Sequence, residues 1–221
     1  ERDGASIYHL AAWRSLIRSV FGHETMYLYA EHNRQVSGVL PLVRLRSRMF
    51  GDYLVSMPYF NYGGALAVDA AVAATLMRAA AELARERGCS HVEFRDIEQR
   101  HEWPVRTDKV GMELRLPGSI DALWDALGAK LRSQIKRPQK AGAEGASGGR
   151  ELLPEFYSVF ARNMRDLGTP VYALGFFDAI LKAFPTQARI TVVRYRGAAV
   201  AAGFTLGFRG RLEIPWASAN R

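Results

Sequence analysis

The chain has one cysteine, Cys89. A single thiol forms no internal disulfide and builds no cysteine-based metal site. The histidines, at positions 9, 23, 32, 91 and 101, are scattered and show no zinc-binding spacing. Long apolar runs are missing too: the longest, residues 65–81, is broken by Asp69 and Arg78 and does not read as a membrane span. There is no Gly-x-Ser-x-Gly elbow and no Walker loop, so no serine-hydrolase or P-loop chemistry is written here. No nucleophile–base pair stands out. No signal peptide is visible, and the chain begins at Glu1, so the natural start is expected upstream. The expectation is a cytoplasmic protein that uses no metal.

What is present is ordinary in bulk and uneven in placement. The 221 residues, 48% hydrophobic and 24% charged, allow one large domain or two small ones with a real core. The net charge is +8, and arginine supplies most of the excess, which suits phosphate or carboxylate partners. Residues 128–149 organise the rest. Lys130, Arg132, Lys136, Arg137 and Lys140 fall close together with no acid among them. At helical spacing Leu131 and Ile135 share one face and the cations fan over the remaining arc. Pro138 is expected to end or kink that helix. Residues 141–149 are small and glycine-rich, and read as an exposed, mobile spacer.

Along the chain, residues 8–21 have a helical period, with Leu10, Trp13, Ile17, Val20 and Phe21 inward and Arg14 and Arg18 outward. Strands are expected at 26–31, 35–46 and 53–57. Pro41 implies an edge position or a bulge in the second, and Arg44, Arg46 and Arg48 share one face of it. Asp69 caps a helix to Arg87 that stops at Gly88. Short strands are expected at 91–95, where His91 reads as a satisfied core residue, and at 109–116. Ser119 caps a helix leading into the basic segment. After Arg150 come a helix from Pro154 to Gly168, a loop, a short helix at 176–184, and strands at 190–195, 198–208 and 211–217.

The two halves share the order helix, strand, strand, strand, with Val36 and Val200 in matching places. This reads as a duplicated α+β unit: residues 1–118, then a basic helical segment and linker at 119–149, then a second unit at 150–221. A sheet ending at Arg221 would expose an edge and lack a covering helix. The second unit is therefore expected to be incomplete.

The order of helix, strand meander, long helix and further strands resembles the GNAT acyltransferase superfamily. Two such units joined by a basic segment resemble the Fem-type peptidyltransferases. Three stretches carry a closer likeness: Ser56-Met57-Pro58-Tyr59-Phe60-Asn61-Tyr62-Gly63-Gly64, Leu131-Arg132-Ser133-Gln134-Ile135-Lys136-Arg137-Pro138 and Glu213-Ile214-Pro215-Trp216-Ala217-Ser218. They are similar to those of FemAB-related proteins associated with exosortase/PEP-CTERM gene clusters. The resemblance implies two tandem GNAT-like domains, with mixed or antiparallel sheets and flanking helices. It also implies transfer of an acyl or aminoacyl group to an amine of a cell-envelope substrate. Fem proteins take aminoacyl-tRNA and extend a peptidoglycan precursor; other superfamily members take acyl-CoA. The Gln/Arg-x-x-Gly-x-Gly/Ala signature for acyl-CoA is absent from the first unit, so both donors stay open. The implied partners are an anionic donor or acceptor, tRNA among them, and any membrane contact would be peripheral.

Direct acyl transfer needs no triad. It needs a free amine, a carbonyl held close, and donors where the oxyanion forms. Asn61 and Tyr62 precede two glycines that either make a tight turn or admit substrate. Lys130, Arg132 and Arg137 are placed to grip a diphosphate or a tRNA backbone. Tyr172 either packs in its loop or lines a cleft. Glu213, on a strand expected to be central, is either an exposed strand residue or the general base. The rival reading is a non-catalytic basic module for RNA or an anionic polysaccharide, although no aromatic platform interleaves the cations.

Overall fold

The N-terminal helix starts late. In the computed structural model, which describes residues 4–97 and 103–220, Tyr8 sits in a 3-10 turn at Ile7–His9. The helix proper, α1 (Ala12–Phe21), follows and ends at Gly22, φ 68°. Trp13, Leu16 and Ile17 are its buried residues, and Arg14 and Arg18 stay exposed.

The first sheet is a meander: β1 (Glu24–His32), β2 (Gln35–Ser47) and β3 (Gly51–Val55), paired antiparallel. A two-residue β4 (Leu66–Ala67) pairs with β2, and β5 (Val92–Glu93) pairs parallel with β3. Between them α2 (Ala70–Glu86) is capped by Asp69, whose carboxylate accepts from the Val72 N–H at 2.8 Å. Leu76, Ala80 and Ala84 of α2 pack on Leu40, Leu42 and Leu54 of one sheet face.

The chain continues with α3 (Ile120–Ala126), capped by Ser119, and α4 (Ala129–Lys140). Next come β6 (Glu144–Gly148), α5 (Leu153–Asp166) and α6 (Leu174–Ala183). Then β7 (Ala188–Tyr195), β8 (Ala198–Phe208) and β9 (Arg211–Ala219) complete an antiparallel sheet of order β6-β7-β8-β9. α5 covers one face of this sheet. The fold is α+β, with one mixed and one antiparallel sheet and flanking helices.

The repeat is visible in the hairpins. Asn33-Arg34 and Arg196-Gly197 each turn the chain with both residues at positive φ, as a two-residue hairpin turn demands. Each hairpin then shifts register at the same distance from its turn, at Ala30/Glu31 and at Val193/Arg194. Residue 36 pairs with Glu31 and residue 199 with Arg194, so Val36 corresponds to Ala199 and not to Val200.

Several expectations change. Pro41 lies in a strand with neighbours on both sides. On the β3/β4 side, however, pairing skips from Val39 to Val43, so a residue with no N–H fits in that gap. Residues 109–116 form no strand. Val110, Met112, Leu114 and Leu116 alternate but are all exposed, and a period of two makes a strand only where a neighbour offers a ladder. The expected spacer contains β6, paired with β7 from Glu144↔Arg194 to Gly148↔Ile190. Small side chains bury little, but a ladder needs only backbone. α4 runs two residues past Pro138 to Lys140. His91 is exposed and stacks on Tyr53, so it is not a core residue.

One core joins the halves. Trp13, Met57 and Phe60 from the first pack with Phe156, Phe176, Phe184, Phe204 and Trp216 from the second. Phe60 is its hub: its ring lies 4.6 Å from Tyr8 and from Trp13, and 5.7 Å from Trp216.

Candidate functional site

The turn 56–64 follows β3 at the junction of the halves. Met57 and Tyr59 hold positive φ, 52° and 75°, although neither is glycine. Such residues cost about 1–3 kcal/mol each and persist only where the surroundings over-determine them. Here they do. The N–H groups of Gly63 and Gly64 donate to the Arg95 carbonyl at 3.1 Å, and the Arg95 N–H donates to the buried Ser56 hydroxyl at 2.8 Å. The Arg95 guanidinium donates to the Phe60 carbonyl and to Glu93. The Asp96 carboxylate accepts from the Ala65 N–H at 3.1 Å. A β-carbon on Gly64 would fall 1.7 Å from an Asp96 oxygen, so this glycine is there for close approach. The Tyr59 hydroxyl meets His23 Nε2 at 2.6 Å, and burial pushes the Tyr59 phenol up to about 12. Asn61 is exposed at the tip; Tyr62 is half-buried, with its hydroxyl against Gly111.

Glu213 reaches the same junction through a defect in β9. Leu206 pairs with Glu213 and Phe204 with Trp216, so two residues, Ile214 and Pro215, stand opposite one. The bulge puts Glu213 and Trp216 on the same face as the buried Leu206 and Phe204, where a regular strand would have sent them to opposite faces. It also accommodates a proline. Glu213 there meets Tyr8, whose hydroxyl donates to Oε2 at 2.7 Å across 205 positions of sequence. Tyr8 is 1% exposed. Burial, then the hydrogen bond and charge of Glu213, raise its ionisation far above the ordinary phenol range, so it stays a donor. Tyr172 closes the group, edge-on to Tyr59 at 5.6 Å and to Trp216 at 6.3 Å. Burial raises its ionisation while the charge of Arg95 opposes the rise.

Of the residues singled out in the sequence, Tyr62, Tyr172 and Glu213 belong to this junction, and Asn61 stands exposed on the turn beside it. The cations of α4 do not join it among the described residues. Arg132 donates to the carbonyls of Trp124, Asp125 and Leu127, and Lys136 lies 5.3 Å above the Trp124 ring. Lys130 and Arg137 are exposed. Arg44, read as part of an arginine stripe, instead holds Asp52 through two bonds of 2.7 and 2.8 Å. Sequence reasoning missed Tyr8, Arg95 and His23. Only the polar residues flanking short β5 hinted at Arg95; nothing local marks Tyr8. A cavity of about 270 Å³, lined by Ser6, His9, Gly38, Leu66 and Phe208, opens beside the Tyr8 turn and touches none of the predicted site residues. Among the described residues no cluster of His, Cys, Asp and Glu could hold a metal ion, and no helix is long and apolar enough to cross a membrane.

The arrangement sets a carboxylate, with Oε2 engaged by a phenol, beside aromatic walls. Residues 129–221 match the family model described as an acetyltransferase (GNAT) domain. No curated protein matches the chain. Among solved structures, the crystal structure of FemX superposes with a TM-score of 0.56 at 15% identity, covering 86% of this chain and 52% of that one. This chain thus spans about half the length of FemX. Its second half is similar to a GNAT acetyltransferase domain, and its fold is FemX-like.

Proposed function

We propose that this protein is a Fem-like N-acyltransferase or aminoacyltransferase whose general base is Glu213, acting on an amine of a cell-envelope substrate. The observation that carries the reading is the bulge that turns this carboxylate inward at the junction of the two halves. The GNAT match over residues 129–221 supports the reaction class. The amine attacks the acyl carbon and the C–N bond forms. The bond to the leaving sulfur or oxygen breaks. Oε1 of Glu213 takes one proton from the amine and returns it to the leaving group, so protons balance. Tyr62 and Asn61 border the acceptor, and Tyr172 walls the cleft. The donor is acyl-CoA or aminoacyl-tRNA, and the cations Lys130 and Arg137 serve its phosphates.

The test is a screen of full-length protein with labelled acyl-CoAs and aminoacyl-tRNAs against amine acceptors. Transfer that Glu213→Gln lowers by about 100-fold or more is expected, within the range for a general base. Absence of transfer from both donor classes overturns the reading. A second reading, a non-catalytic binder of RNA or an anionic polysaccharide, draws on exposed Lys130 and Arg137; retention of RNA with no transfer would favour it.

A further inference from the structure

We infer that Tyr8 is the positioning residue of this site: its hydroxyl fixes the Glu213 carboxylate through Oε2 and leaves Oε1 as the oxygen presented to the amine. This rests on the reading of Glu213 as base.

The geometry argues for more than packing. A buried hydroxyl is costly unless bonded, and a phenylalanine would fill the same volume without that cost. Tyr8 is 1% exposed and stacks on Phe60, so packing holds its ring with the hydroxyl directed at Glu213. The acceptor it meets at 2.7 Å is the one carboxylate the β9 bulge rotates inward. Two unrelated devices, a bulge at one end of the chain and a 3-10 turn at the other, therefore converge on one contact. Among the groups around it, Tyr62 is close enough to act electrostatically on Tyr8. Arg211, two residues before Glu213, faces Glu113 at 3.7 Å instead. No cation from α4 takes part.

Without the phenol, the carboxylate loses the contact that fixes it and is free to rotate. Turnover should fall while substrate binding is kept.

The experiment compares full-length wild type, Tyr8→Phe, Glu213→Gln and the double variant. Donors are radiolabelled acetyl-CoA and alanyl-tRNA, and free lysine is the acceptor; thermal melts run in parallel. Tyr8→Phe is expected to lower kcat about tenfold to hundredfold, the value of a hydrogen bond to a charged group, with KM within about twofold. The double variant should be no slower than Glu213→Gln. A Tyr8→Phe protein with wild-type kcat, or one whose loss only tracks its unfolded fraction, overturns this proposal alone. A wild type inactive with both donors overturns the functional reading first and this one with it.

Discussion

The Arg132 guanidinium donates to the Leu127 carbonyl at 2.7 Å and shares the same nitrogen with the carbonyls of Trp124 and Asp125. It closes the C-terminus of α3, whose last carbonyls have no partner within their own helix. Arg137, one turn and a residue further along, is exposed. The two arginines therefore separate by experiment. Arg132→Ala should cost about 1 kcal/mol in urea unfolding. Arg137→Ala should stay within about 0.5 kcal/mol, and should instead weaken binding of an anionic donor in a salt-dependent way.

Phe60→Ala removes the ring on which Tyr8, Trp13 and Trp216 meet. A loss of about 3–5 kcal/mol is expected, as for other buried phenylalanines. Because Phe60 joins the halves, two separate unfolding transitions should appear by circular dichroism and tryptophan fluorescence where the wild type shows one.

Gly63 and Gly64 should tolerate no side chain. A β-carbon on Gly63 would lie 2.4 Å from the Met57 β-carbon, at φ 150°, and one on Gly64 would displace Asp96. Alanine at either position should cost about 1–3 kcal/mol. Gly145→Ala in β6, where nothing lies within 4 Å, is the control and should be near neutral. Melting temperatures decide.

His9 gives the fold a pH dependence. Burial lowers its ionisation below the ordinary value, against weaker opposing effects from Gly64, Ser6 and Asp96. Its Nε2–H donates to the Gly64 carbonyl at 3.0 Å and its Nδ1 accepts from the Ser6 N–H at 3.1 Å, a neutral ring used at both nitrogens. The unfolded chain then binds the proton more readily than the folded one. Stability is full above about pH 6.5 and falls as pH drops below it. Thermal melts from pH 7.5 to 5 should show this decline, and His9→Gln should flatten it.

Limited proteolysis addresses β6. Because residues 144–148 pair with β7, cleavage should begin in the exposed stretch 104–118 and not in β6. First cuts within β6 would restore the spacer reading.

Much of the local structure was legible in the residues, because it depends on short-range physics. The period of Trp13 and Ile17, the caps at Asp69 and Ser119, and the hairpin turns at Asn33-Arg34 and Arg196-Gly197 act within a few positions. The strand order helix, meander, helix, meander followed from them. Glu213 could be named, but not its orientation: strand alternation alone puts it on the opposite face from Trp216, and only the register against β8 reveals the bulge. Tyr8 carries no signal of its own, since its partner lies 205 residues away. The basic run was read as one surface, yet Arg132 is claimed by backbone carbonyls that sequence does not place. β6 was hidden because backbone pairing is indifferent to side-chain size, and residues 109–116 misled because alternation was present and a neighbouring strand was not. Sequence determines which faces are apolar and where the chain turns; long-range pairing alone decides which of those faces and carboxylates meet.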